Sequence, residues 1–153
     1  MPKVMKHLLI EALTEALETA AFMMPLPPEE DLPSPSQGVL VCIDFTGSAN
    51  GKIELWASNE FAQMMAANIM GIEPEDEEAK SKSIDALKQL AHITAGVLLK
   101  ELTDSSADIF NLTVPKAQEQ SDSGLWEEYV SQDDVFVLDV DGFPLAARLL
   151  MEN

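Results

Sequence analysis

The N-terminal part of the chain alternates apolar and polar positions with the period of an α-helix. Leu9 and Leu13 belong to an apolar series that recurs every three or four residues, and Glu11 lies on the opposite side. This pattern predicts an amphipathic helix with one face on a core. Five prolines then follow within residues 25–37. Because proline cannot continue a helix or donate a hydrogen bond in a central strand, that segment is predicted to be an extended, exposed connection.

In the next two runs, GVLVCIDF and GKIELWAS, apolar residues recur at every second position. Alternation places Val39 and Val41 on one face of the first run, and Ile53 with Leu55 on the matching face of the second. The short link TGSAN between them is rich in turn-forming residues, which is typical of a β-hairpin. A second hairpin is predicted near the C-terminus, where two apolar runs flank an Asp-Gly turn.

Two helices are predicted between the hairpins. A serine and a glycine bracket the first, NEFAQMMAANIM, as helix end signals require. Its methionines, Met64, Met65 and Met70, are predicted to fill the core. After an acidic loop, the second helix spans about residues 83–102, and its apolar residues cover more than half of its circumference. This helix is therefore predicted to be buried on most sides and to expose only a narrow polar stripe.

The remaining order of elements indicates the fold class. A strand in IFNLTVPK is predicted to end near Pro115, and a polar connection, residues 117–132, leads to the final hairpin. Helix, hairpin, two helices and then strands predict an α+β domain, with long helices packed on one face of an antiparallel sheet. The 153 residues, 46% of them hydrophobic, suffice for one core, so residues 1–153 are predicted to form a single domain.

Charge and cysteine content exclude several functional classes. The 27 acidic and 9 basic residues give a formal net charge of -18, which repels nucleic acid and anionic membranes. One cysteine and two histidines permit no internal disulfide and no metal cluster of the usual nitrogen and sulfur kind, so a reducing cytoplasm is predicted. The N-terminal apolar run is interrupted by glutamates before it reaches the length of a membrane span. A glycine-rich phosphate loop and a nucleophile elbow are also missing from the sequence, which excludes many enzyme classes.

The polar stripe of the long helix contains Asp85, Gln89, His92 and Gly96. At about 100° per residue, these positions fall within about 60° of one another. Asp85 near the start of a helix complements the helix dipole without any further function. Glycine inside a helix costs about 1 kcal/mol relative to alanine, so Gly96 indicates close approach of a partner or of a neighbouring helix.

The spacing of Asp85, Gln89, His92 and Pro115 resembles the phosphatase signature of the CheC, CheX and FliY family of bacterial chemotaxis proteins. In that signature Asp or Ser, Glu, Asn and Pro stand at the same intervals. The stretch GSANGKIELWASNEFAQMMAANIMG also resembles the family's glycine turn, strand, helix and closing glycine. The similarity is greatest to the single-site CheX branch.

This resemblance implies a domain that acts on the aspartyl phosphate of a CheY-like response regulator in the cytoplasm. The regulator would supply Mg²⁺ and a lysine, so the domain itself would need no cofactor. Asp85, Gln89 and His92 would occupy the catalytic positions, and Lys88, Gly96 and Pro115 would contact the partner. The resemblance also implies a homodimer, and the C-terminal hairpin is predicted to leave strand edges open for sheet extension across it.

Two residues depart from the signature and leave three interpretations open. Gln89 replaces the carboxylate, so it cannot form the stronger charge-assisted pair with a lysine, and His92 replaces the amide that orients water. The domain could bind a regulator without catalysis. Alternatively, Asp85 and Gln89 act as an acid and amide four residues apart, similar to the pair used by the unrelated phosphatase CheZ. The third interpretation is a cytoplasmic homodimer that contacts no regulator.

Overall fold

The computed structural model describes residues 3–27, 32, 34–102, 110–121 and 123–152. Its helices are α1 (Lys3–Ala21), α2 (Asn59–Met70), α3 (Glu77–Ser81), α4 (Ser83–Leu102) and α5 (Ser123–Val130). Its strands are β1 (Pro25–Leu26), β2 (Gly38–Gly47), β3 (Gly51–Ser58), β4 (Phe110–Leu112), β5 (Lys116–Gln120), β6 (Phe136–Val140) and β7 (Phe143–Met151).

The seven strands form one antiparallel sheet in the order β1-β6-β7-β3-β2-β4, and β5 also pairs with β2. The predicted hairpins are β2 with β3 and β6 with β7, and Val41 lies opposite Leu55 in the first. At the second turn, Asp141 and Gly142 both adopt positive φ values, the conformation that a tight type I′ turn requires.

The core lies between one face of the sheet and the helices α1, α2 and α4. Alternate residues of the central strands pack there against buried residues of all three helices, for example Leu13, Met65 and Leu87. The helix α4 packs against both α1 and α2, and its inward residues are fully or nearly fully buried. The predicted α+β class, with long helices on one face of an antiparallel sheet, is confirmed.

The ends of α2 show why these residues form a helix at this place. The Ser58 hydroxyl accepts a hydrogen bond of 3.0 Å from the Phe61 amide, and this caps the first turn. Gly71 ends the helix with φ of 71°, a left-handed conformation that glycine adopts without strain. Both end signals in the sequence are therefore confirmed, and they set the limits of α2.

The segments predicted as loops contain more structure than their composition indicates. The acidic loop holds the short helix α3, and the polar connection 117–132 contains most of β5 and all of α5. The helix α5 covers the second face of the sheet, where Trp126 meets Trp56 edge to face with ring centroids 4.9 Å apart. The polar composition of residues 117–132 did not indicate this helix, because α5 buries one apolar side while its other side is acidic.

The edges of the sheet also differ from the prediction. The strand β7 lies between β6 and β3, and β6 is covered by Pro25 and Leu26 of β1. The β7 edge of the C-terminal hairpin is therefore paired with β3, and the β6 edge is paired with β1 at Asp139 and Val140. The prediction that both hairpin edges are open was wrong, and the homodimer, which the family resemblance also implies, stays a prediction. The pairing of β1 at the sheet edge agrees with the extended connection predicted for residues 25–37, of which 28–31 and 33 lie outside the described residues.

Candidate functional site

The polar stripe of α4 lies at the surface. Asp85, Gln89 and His92 are exposed and Gly96 is half-buried, whereas the residues on the other side of the helix, such as Leu87 and Leu90, are buried. The side chains of Asp85, Gln89 and His92 make no hydrogen bond or ion pair with any part of the chain that the structure describes. These polar groups are therefore available to another molecule.

A cleft of about 220 Å³ runs between α2 and the start of α4, and we call it the α2–α4 cleft. Its lining residues are Ala66, Ile69, Met70, Lys82, Asp85, Ala86 and Gln89. Asp85 and Gln89 thus share one concave surface with an apolar wall from α2, whereas His92 does not line it. The structure brings together two of the three predicted catalytic residues.

Met70 shows a local departure from the predicted core. Met65 is fully buried, as predicted, but Met70 is 36% exposed and forms part of the cleft wall. Met70 is the last residue of α2 and lines the cleft that this helix forms with the start of α4. Its apolar side chain therefore lines the cleft and does not pack in the core.

Gly96 has open space around it. An ideal Cβ built at this position meets no atom within 4 Å beyond the helix's own neighbouring backbone. Close approach of a neighbouring helix is therefore not the reason for this glycine, and approach by a partner stays a prediction.

The two other predicted partner-contacting residues occupy different places. Lys88 lies on α4 beside the stripe and is half-buried. Pro115 lies between β4 and β5, the two outer strands that pair with β2, and is also half-buried. Its predicted position at a strand end is confirmed, but it does not line the α2–α4 cleft.

A second polar cluster, which the sequence analysis missed, lies on the opposite face of the sheet. Arg148 donates from Nη2 and Nε to Glu54 Oε1 at 2.7 and 2.9 Å, and the Tyr129 hydroxyl donates to the same oxygen at 3.3 Å. Glu54 is 8% exposed and Tyr129 is 7% exposed. The Cys42 thiol lies 3.8 Å from Glu54 Oε2. We call these four residues the Glu54 cluster.

The Glu54 cluster joins α5 and the loop that follows it to the sheet. Arg148 Nη1 also donates to the Gln132 amide oxygen and lies 3.6 Å from an Asp134 oxygen. The guanidinium thus contacts β3 and the α5–β6 loop at once. Alternation in GKIELWAS places Glu54 on the face opposite Ile53 and Leu55, and the three-residue spacing of Trp126 and Tyr129 was the available signal that a helix covers that face.

Burial and the Glu54 charge together suppress loss of a proton from the neighbouring groups of this cluster. Burial, together with the neighbouring carboxylate, raises the pKa of the Tyr129 hydroxyl and raises the pKa of the Cys42 thiol to about 11. For Arg148, burial lowers the pKa, but hydrogen bonds and charge from Glu54 outweigh it and raise the pKa overall. The thiol stays protonated near neutral pH, so Cys42 is a poor nucleophile. This cluster is a satisfied structural network.

The described residues hold no group of three or more His, Cys, Asp or Glu side chains that could bind a metal ion. None of the helices within the described ranges is both long and apolar enough to cross a membrane.

A family model described as chemotaxis phosphatase CheX matches residues 39–140, about two thirds of the chain. The chain belongs to the CheX family. The matched residues run from β2 to β6 and include the whole polar stripe and most of the sheet. No curated protein sequence matches this CheX-family chain.

Solved structures of similar proteins agree with the fold. CheX from Desulfovibrio desulfuricans has 14% identity and a TM-score of 0.69, with 97% of this chain and 99% of that one covered. CheX in a complex with CheY, BeF3 and magnesium from Borrelia burgdorferi has 19% identity and a TM-score of 0.68, with 96% and 97% covered. FliY from Thermotoga maritima has 13% identity and a TM-score of 0.60, with 99% and 91% covered. At these identities the likeness establishes the fold.

Proposed function

We propose that this CheX-family domain binds a phosphorylated CheY-like response regulator through the exposed face of α4 and hydrolyses its aspartyl phosphate with Asp85 and Gln89. The observation that carries the proposal is that these two side chains share the α2–α4 cleft and have no partners among the described residues. The Borrelia complex of CheX with CheY supports the choice of partner.

The proposed chemistry is positioning. In-line attack of water on a phosphoryl group needs little covalent assistance, so an arrangement of groups that holds the water supplies most of the rate. In this domain the Gln89 amide would orient the attacking water, and the Asp85 carboxylate would pair with a cationic side chain of the regulator. Mg²⁺ held by the regulator would neutralise charge on the phosphoryl oxygens. His92, one turn beyond the cleft, would contact the regulator without touching the water.

Substitution of the two pair residues tests this mechanism. Purified regulator is phosphorylated, mixed with Mg²⁺ and each variant, and phosphate release is followed. We expect Asp85→Ala and Gln89→Ala each to lower the rate by about 10²- to 10³-fold, as does loss of one donor that acts in the transition state. His92→Ala is the matched control on the same face, and we expect it to change the rate by less than about threefold. Equal losses in all three variants would contradict the assigned pair.

A second candidate function, binding without catalysis, is favoured by the residue identities themselves. Gln89 and His92 stand where the family signature has a carboxylate and an amide, so both differ from it. If the domain only binds, the unmodified protein leaves the phosphate lifetime unchanged, and Gln89→Glu with His92→Asn creates activity. If Asp85 and Gln89 already act, the unmodified protein shortens the phosphate lifetime, and Asp85→Ala and Gln89→Ala each lower its rate.

Homodimer formation and a cytoplasmic location stay predictions. The described strands leave outer edges at β1, β4 and β5, each of which pairs on one side only. Light scattering tests assembly: a mass near twice 16.7 kDa at tens of micromolar supports a dimer, and a mass near the single-chain value contradicts it.

A further inference from the structure

The charge of the chain reverses locally where the polar stripe begins. Residues 80–92 hold three of the nine basic residues, Lys80, Lys82 and Lys88, against the single carboxylate of Asp85. Shortly before this segment, residues 73–78 contain five acidic residues. Residues 80–92 therefore carry a net positive charge on a chain with net charge -18, and lysines in such a segment attract an anion that the rest of the chain repels.

Among these lysines, Lys82 is the one that lines the α2–α4 cleft with Asp85 and Gln89. Its side chain forms no ion pair among the described residues. Its carbonyl oxygen accepts a 3.0 Å hydrogen bond from the Ala86 amide, and its own amide donates to the Glu78 carbonyl. The backbone of Lys82 is thus fixed by both α3 and α4, and its exposed side chain lines the cleft without an ion-pair partner among the described residues.

We infer that Lys82 recognises the phosphoryl group of the regulator and makes binding selective for the phosphorylated form. This inference rests on the proposed function and adds a residue outside the four-residue signature. An ammonium group at the rim of a cleft with an apolar wall pairs with a dianionic phosphoryl group, and that interaction offsets the repulsion between the anion and the acidic remainder of the chain. Without the phosphoryl group Lys82 has no comparable partner, so the gain in affinity appears only after phosphorylation.

Selectivity is measured as the ratio of two dissociation constants, for the unmodified regulator and for the regulator activated by BeF3 and Mg²⁺. We expect Lys82→Gln to weaken binding of the activated form by about 10- to 150-fold, the loss expected for one hydrogen bond between charged groups. Binding of the unmodified regulator should stay within about twofold, since the lysine has little to pair with there. Lys82→Arg, which keeps the charge, should retain most of the selectivity.

Lys80→Gln is the matched control. Lys80 lies two residues away, pairs with Glu77 at 3.6 Å and does not line the cleft, so this change removes the same charge without touching the site. Equal selectivity in Lys82→Gln and the unmodified domain overturns the inference and leaves the proposed function standing. Equal losses from Lys80→Gln and Lys82→Gln show a general charge effect and also overturn it. If the unmodified domain binds neither form, the proposed function and the inference fail together.

Discussion

The two polar regions of this domain use their side chains in opposite ways. In the Glu54 cluster, one carboxylate oxygen accepts three hydrogen bonds from Arg148 and Tyr129, and nearly all of its surface is hidden under α5. Along the polar stripe of α4, Asp85, Gln89 and His92 are exposed and have no partner among the described residues. Polar groups that form hydrogen bonds with one another hold secondary-structure elements together. Polar groups that lack such partners and lie beside a cleft are suited to bind another molecule.

Removal of Glu54 should produce the largest effect on stability. Glu54→Ala leaves the Arg148 guanidinium and the Tyr129 hydroxyl without their shared acceptor, and we expect a loss of about 3 kcal/mol in the free energy of unfolding. Gln89→Ala, the matched change on the stripe, should alter it by less than about 0.5 kcal/mol. Urea denaturation of both variants measures the difference. Equal effects would show that the two regions do not differ as described.

Gly96→Ala should separate stability from binding. The open space around Gly96 admits a methyl group, and alanine favours a helix interior over glycine, so we expect the free energy of unfolding to rise by about 0.5–1 kcal/mol. If the regulator approaches the helix closely at this glycine, the same methyl group lowers affinity. Thermal denaturation and binding by the activated regulator give the two readouts. Higher stability with unchanged affinity would contradict approach by a partner at Gly96.

Alkaline pH should destabilise the Glu54 cluster through Cys42. Because burial raises the pKa of this thiol from 9.0 to about 11, the folded chain retains a proton that the unfolded chain releases between those values, so stability falls as pH rises through this window. Since Cys42 is only half-buried, we expect a loss of only about 1 kcal/mol. Comparison with Cys42→Ala isolates this contribution from that of Tyr129. Parallel pH profiles for both proteins would contradict it.

The fold was largely predictable because its signals are local. Alternation placed Val41 and Leu55 in the core, and the end signals at Ser58 and Gly71 set the limits of α2. The helix α5 was missed because eight residues offer a short pattern and its exposed side is acidic.

The candidate site was predictable only in part. The spacing of Asp85, Gln89 and His92 predicted their shared exposure. The α2–α4 cleft could not be predicted from the α4 pattern, because it depends on how Ile69 and Met70 of a different helix pack beside it. The role of Glu54 depends in the same way on Arg148, which is 94 residues away along the chain.

Phosphate release from a phosphorylated CheY-like regulator tests the central claim most directly. The regulator, from the same genome as this chain, is phosphorylated and mixed with Mg²⁺ and an equimolar amount of the unmodified domain, and binding is recorded in the same samples. We expect the phosphate lifetime to shorten by about 10²-fold or more, the contribution of one positioned group that acts in the transition state. An unchanged lifetime despite binding would contradict catalysis by Asp85 and Gln89, and an unchanged lifetime without binding would contradict the assignment of the α4 face to a regulator.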